Sequence, residues 1–155
     1  MRAVVQRVLN ASVAIGGTVK GEIGKGYLVL LGIEENDTEK DLDYIAEKLL
    51  GLRVFEDEAG KMNRSLLDTG GEALVVSQFT LCADTRKGRR PSFSHAGDPA
   101  WSREMFDRFT RKVSEESGRP VPTGVFGADM RVHLINWGPV TIWLDSREVL
   151  PHLYL

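Results

Sequence analysis

Apolar positions recur along the chain with two different periods. Residues 4–15 are rich in valine and read as a strand, with Asn10 as a bend. Gly16-Gly17 marks a turn, and residues 19–23 and 27–33 follow as two further strands joined through Gly24-Lys25-Gly26. The period then changes. Over 38–53, Leu42, Ile45, Ala46 and Leu49 fall at i, i+3, i+4 and i+7, which predicts a helix capped by Asp37 or Thr38. Residues 54–56 read as a short strand. Residues 73–81 read as a strong one, because the run Ala73-Leu74-Val75-Val76 suits a strand covered on both faces. A second helix is predicted from Asp98 as N-cap and Pro99 at the first helical position, with Trp101, Met105, Phe109 and Val113 on one stripe. Gly118 and Pro120 stop it. Three closing strands are expected at 121–126, 131–136 and 140–144. This order predicts an α/β fold: a single compact domain over 1–155, with a mixed, barrel-like sheet and two main helices packed against it.

Composition narrows this picture only slightly. With 155 residues, 42% of them hydrophobic and 27% charged, the chain can bury a globular core and is not a disordered polymer. It holds no apolar stretch of membrane-spanning length and no secretory leader pattern, so a cytoplasmic protein with no membrane partner is expected. Cys82 is the only cysteine, which excludes a disulfide within the chain. No histidine–cysteine cluster has metal-ligand spacing, and neither metal nor cofactor is expected.

The net charge of -2 conceals an asymmetry. Residues 34–58 carry ten acidic side chains against Lys40, Lys48 and Arg53, whereas 84–112 carry eight basic ones against four acidic. A basic run of this kind either solvates a helix face or steers a polyanion.

Two polar insertions in apolar strands are candidates for chemistry. The first is Ser77-Gln78-Phe79-Thr80-Leu81. Strand periodicity puts Gln78 and Thr80 on one face and Ser77, Phe79 and Leu81 on the other. Ser77 or Thr80 would act as a nucleophile only beside an activating base, and no histidine is adjacent in sequence. The second is Asn136-Trp137-Gly138-Pro139-Val140-Thr141, which reads most simply as a hairpin turn between two strands.

Taken together, SQFTL at 77–81 and NWGPVT at 136–141 closely resemble the D-aminoacyl-tRNA deacylases. The opening MRAVVQRV, DTRKGRRPSF at 84–93 and FGADM at 126–130 are similar to the same family, and the resemblance runs to about Ser146. Residues 147–155 extend past it. Trp137 occupies the variable position of the second motif and is bulkier than the resemblance leads one to expect.

The resemblance implies a homodimer that hydrolyses the ester between a D-amino acid and tRNA, and that also accepts glycine mischarged on tRNA-Ala. It implies a cis Gly138–Pro139 bond and entry of this motif into the partner's site, where its carbonyls would meet the substrate's α-ammonium and the L side chain would be rejected. Arg7 would hold the motif as a donor to its carbonyls, Asn136 and Thr141 would brace it, and Met130 would line the pocket. The ester would lie beside Ser77, Gln78, Phe79 and Thr80. Backbone N–H groups there would stabilise an oxyanion, with the terminal ribose hydroxyl assisting and water attacking. A covalent role for Thr80 is the competing mechanism. Arg86, Lys87, Arg89 and Arg90 would touch tRNA phosphates. Two other classes stay open from the residues alone: an RNA-binding module without catalysis, and a hydrolase of an unrelated small ester.

Overall fold

The computed structural model describes residues 1–150. Its centre is β1 (Arg2–Ile15), a 14-residue strand that pairs along both edges. On one edge, its first half meets β3 (Gly26–Gly32) and its second half meets β2 (Thr18–Ile23), both antiparallel. The whole of the other edge is taken by β7 (Arg131–Asp145), also antiparallel. β6 (Glu72–Ser77) completes the sheet by running parallel to β3. A separate two-stranded ribbon joins β4 (Phe55–Glu56) to β5 (Met62–Arg64).

The two main helices are α1 (Glu39–Gly51) and α3 (Pro99–Ser117). Their ends lie where local chemistry sets them. Thr38 and Asp41 form a reciprocal capping box at the start of α1. Asp98 caps α3 by accepting from the Trp101 N–H, and Gly118 closes it in the left-handed region at φ 71°. Short helical turns α2 (Leu66–Thr69) and α4 (Ser146–Val149) complete the set. The last five residues of the expected 147–155 extension lie outside the described residues.

β3 explains why the core has two halves. Tyr27, Val29 and Leu31 face the helices and pack in a cluster with Leu42, Ile45 and Leu49 of α1 and Met105, Phe109 and Val113 of α3. Leu28, on the opposite face, joins Val8, Ala11, Val13, Leu74 and Val76 inside the curl of the sheet. β3 and the Ala73–Val76 run of β6 are therefore covered on both faces, which is what a continuous apolar run signals. The expected bend in β1 is a bulge: Leu9 is the extra residue between the Val8–Asn136 and Asn10–Ile135 pairs.

Three expectations about the strands are corrected. Residues 121–126 form no strand and pair with β6 through an isolated Val75–Thr123 bridge. Pro122 lacks an N–H, so this segment offers its carbonyl to Val75 but cannot build a ladder. The segments 131–136 and 140–144 are one strand, β7, because both halves pair with β1 in the same direction, so the motif between them is no hairpin. The strand expected at 73–81 ends at Ser77 and turns into a 3-10 helix over Phe79–Cys82, so the alternation predicted for 77–81 does not hold. β5 and α2 went unpredicted, although Ser65 and Asp68 form a capping box that marks α2 in the sequence.

Candidate active site

The parallel β3–β6 pair delivers the SQFTL segment to the mouth of a cavity of about 680 Å³. Leu31, Ile33 and Val76 supply apolar lining. Ser77, Gln78 and Phe79 form one side, the segment from Phe93 to the start of α3 another, and Phe126, Gly127, Ala128 and Met130 a third. Of the residues expected at this site, Ser77, Gln78, Phe79 and Met130 are thus brought together. Thr80 does not line the cavity. Its hydroxyl accepts a short hydrogen bond from Gln78 Nε2.

The 3-10 turn has a chemical consequence. The Gln78 N–H donates to the Leu31 carbonyl at 2.8 Å, and the Leu81 N–H donates to the Gln78 carbonyl at 3.2 Å. Between them, the N–H groups of Phe79 and Thr80 have no hydrogen-bond partner among the described residues. They are the orphan donors of a helical first turn, the kind of group that stabilises an oxyanion. Phe79 itself is 59% exposed and makes an edge contact with Phe93, with ring centroids 5.0 Å apart.

Ser102 is a cavity residue that sequence reasoning missed. It lies in the first turn of α3, and its hydroxyl is buried without a partner. Nothing distinguished it in sequence from the apolar stripe around it. Among the described residues, no histidine lines this cavity. His95 pairs with Glu35 at 3.1 Å, and His133 stands on β7 opposite Ser12. Among the described residues, no group of His, Cys, Asp or Glu side chains is placed to hold a metal ion.

The second motif is a bulge in β7. The pairs Gln6–Thr141 and Val8–Asn136 leave four residues, Trp137 to Val140, facing the single residue Arg7. Asn136 closes the loop from beneath. Its Oδ1 accepts from the Val140 N–H at 2.8 Å, and its Nδ2 donates to the Val140 carbonyl at 3.2 Å and to Thr141 Oγ1 at 3.0 Å. Arg7 is 3% exposed and donates from Nε to the Trp137 carbonyl at 2.9 Å and from Nη1 to the Val54 carbonyl at 2.6 Å. The carbonyl it holds therefore precedes Gly138. The Gly138–Pro139 peptide is cis, and both residues are exposed at the apex of the loop. Gly138 has φ +137°, and a Cβ there would stand 2.8 Å from Val140 Cγ2. None of Arg7, Asn136, Gly138, Pro139 and Thr141 lines the Ser77 cavity of the same chain.

The basic segment is a loop pinched at its base by two hydrogen bonds between the backbones of Asp84 and Ser92, at 2.7 and 2.8 Å. Arg86 is paired with Asp84 at 2.7 Å, and its hydrogen bonds hold that carboxyl far below the usual carboxylate range. Lys87, Arg89 and Arg90 are exposed and have no carboxylate partner among the described residues.

A curled mixed sheet with two main helices, carrying a 3-10 turn to the mouth of a largely apolar cavity, defines an α/β protein. Comparison with known proteins gives the family. The model of the family described as D-Tyr-tRNA(Tyr) deacylase matches residues 4–145, and the chain belongs to that family. Among curated relatives, the D-aminoacyl-tRNA deacylase of Chromobacterium violaceum is 59% identical over 148 residues, covering 96% of this chain and 99% of that protein. That of Kosmotoga olearia is also 59% identical over 148 residues, with the same coverage. The solved structure of a c-Myc DNA unwinding element binding protein is 46% identical, with a TM-score of 0.89, and covers 94% of this chain and 99% of its own. A structure of a probable eukaryotic D-amino acid tRNA deacylase shares the fold at 19% identity, with a TM-score of 0.80 over 93% of this chain and 98% of its own.

Proposed function

We propose that this protein, a D-aminoacyl-tRNA deacylase by family, hydrolyses the ester of D-aminoacyl-tRNA to free D-amino acid and tRNA, and also clears glycine mischarged on tRNA-Ala. The observation that carries the reading is the cavity lined by Ser77, Gln78 and Phe79, adjoining the turn whose Phe79 and Thr80 N–H groups are unpaired, with no histidine among the described residues of its lining. An aminoacyl ester is already activated. Water attacks the carbonyl carbon with help from the neighbouring ribose hydroxyl, the two N–H groups receive the oxyanion, and the ribose oxygen leaves and takes up a proton. The protein positions and polarises, and no side chain needs to act as nucleophile.

Chirality is read by a second subunit. The Gly138–Pro139 apex is exposed and takes no part in the cavity lining of its own chain, a geometry suited to insertion into the cavity of a partner. There its carbonyls meet the substrate's α-ammonium, D and glycyl groups fit, and an L side chain strikes the loop. β7 favours such a dimer because it is a 15-residue edge strand with Ile135 51% and Trp143 46% exposed. Lys87, Arg89 and Arg90 on the basic loop hold tRNA phosphates without reading sequence.

The test is deacylation of D-, L- and glycyl-tRNA side by side. Release of D-amino acid and glycine, with L-aminoacyl-tRNA left intact, is expected. Binding without release would mark an RNA-binding module, and indifference to chirality and to tRNA would mark a hydrolase of small esters.

A further inference from the structure

We propose that Trp137 is a positioning residue for chiral selection: its ring and its carbonyl together hold the Arg7 guanidinium, and Arg7 in turn fixes the peptide leading into Gly138. This rests on the selector role proposed above for Gly138–Pro139. Arg7 is a buried cation with no carboxylate within ion-pair reach among the described residues. Burying a guanidinium without an anion is costly, so its charge must be met by dipoles and π-electrons. Three neutral groups meet it. Two are the carbonyls of Trp137 and Val54, and the third is the Trp137 ring, whose centroid lies 4.4 Å from Arg7 Cζ. Tryptophan gives the strongest such contact, and removal from water strengthens it.

The ring is itself held in place. It packs on Phe55 with centroids 6.4 Å apart, Phe55 packs on Tyr27 at 5.1 Å, and Lys25 Nζ lies 5.5 Å from the indole centroid. Arg7 Nη2 stands 3.2 Å from the point where a Cβ on Gly138 would fall, so a guanidinium free to swing would disturb the selector directly. A small side chain at 137 would keep the carbonyl and lose the ring, leaving Arg7 free to tilt. The large residue at this position thus fixes the aim of the loop.

The experiment compares wild type with Trp137→Phe, Trp137→Leu and Trp137→Ala, each checked by thermal melt. The first readout is the ¹⁵N–¹H signal of Arg7 Nε, which needs no activity. In the wild type it should be ring-shifted and slow to exchange with water. Trp137→Phe should keep most of the shift, and Trp137→Leu, which packs without a π-face, should lose it. An unshifted, fast-exchanging wild-type signal overturns the proposal without any variant. The second readout is kcat/KM on D- against L-aminoacyl-tRNA. Trp137→Leu and Trp137→Ala should lower this ratio about tenfold, as loss of a desolvated cation–π contact would. KM for the D substrate should hold, and Trp137→Phe should restore the ratio. A D-to-L ratio in Trp137→Leu equal to wild type overturns the positioning role. A wild type with no deacylation overturns the functional reading instead, and the Arg7 signal still decides whether the ring holds the guanidinium.

Discussion

The Oδ1 atom of Asp37 lies 2.7 Å from the α-ammonium of Met1, and neither group is reached by solvent. Burial pushes the Asp37 carboxyl from its ordinary 3.8 up to about 6, outweighing the ammonium, its hydrogen bond and the Glu34 N–H, all of which pull it down. Folded Asp37 therefore binds its proton more tightly than unfolded Asp37. Its contribution to stability is fully present below the unfolded value and is lost as pH rises through about 6. Urea midpoints of wild type and Asp37→Asn at pH 4, 5, 6 and 7 give the check. Across that window, wild type should lose stability relative to the variant, by an amount on the order of 3 kcal/mol. Parallel profiles would show that the ion pair outweighs burial.

Gly26 begins β3 opposite Glu72 with φ +155°, and a Cβ there would fall 1.8 Å from the Glu72 carbonyl oxygen. Backbone cannot yield as a flexible side chain can. Gly26→Ala should cost more than about 3 kcal/mol, a drop of roughly 6–12 °C in Tm. Gly60→Ala is the control, since Gly60 has φ +77° and open space around it. It should cost only about 1–2 kcal/mol, from backbone strain. Similar losses in the two variants would mean that β3 and β6 can separate locally at little cost.

Thr80→Ala should keep D-aminoacyl-tRNA hydrolysis within about tenfold of wild type, because the Thr80 hydroxyl accepts from Gln78 and has no basic side-chain partner among the described residues. Its backbone N–H, the group used here, survives the substitution. Mass spectrometry of a quenched reaction gives the sharper answer: an aminoacyl adduct on Thr80 would establish the covalent route.

Neutralising Lys87, Arg89 and Arg90 together should weaken tRNA binding and flatten its salt dependence by about 0.7–0.9 in log–log slope for each cation that meets a phosphate. Arg86→Gln should change the slope less, since Asp84 already offsets its charge. The D-to-L ratio should stay as in wild type, because these residues are exposed and lie away from the cavity lining. An unaltered slope in the triple variant would take the loop off the binding surface.

Features set by neighbours within a few residues were legible in the chain alone. Thr38 with Asp41, Asp98 with Pro99, and Gly118 act through hydrogen bonds and backbone angles that close within one helical turn, so both main helices could be placed from sequence. The apolar run of β6 and the valine-rich β1 likewise announced buried strands, and the paired SQFTL and NWGPVT segments pointed to the family. Tertiary structure alone decided the rest. Nothing local tells that 131–136 and 140–144 are one strand, since that follows from both pairing with β1. The 3-10 turn that frees the Phe79 and Thr80 N–H groups starts where β6 passes the end of β3 and the Gln78 N–H takes the Leu31 carbonyl. Ser102 becomes a cavity residue only because α3 begins at the rim. Arg7 is buried with no carboxylate partner among the described residues because Val54 and Trp137, 47 and 130 residues away, supply carbonyls and a ring that no sequence period encodes. Short-range chemistry dictates elements, whereas a site assembled from distant segments exists only once burial has brought them together.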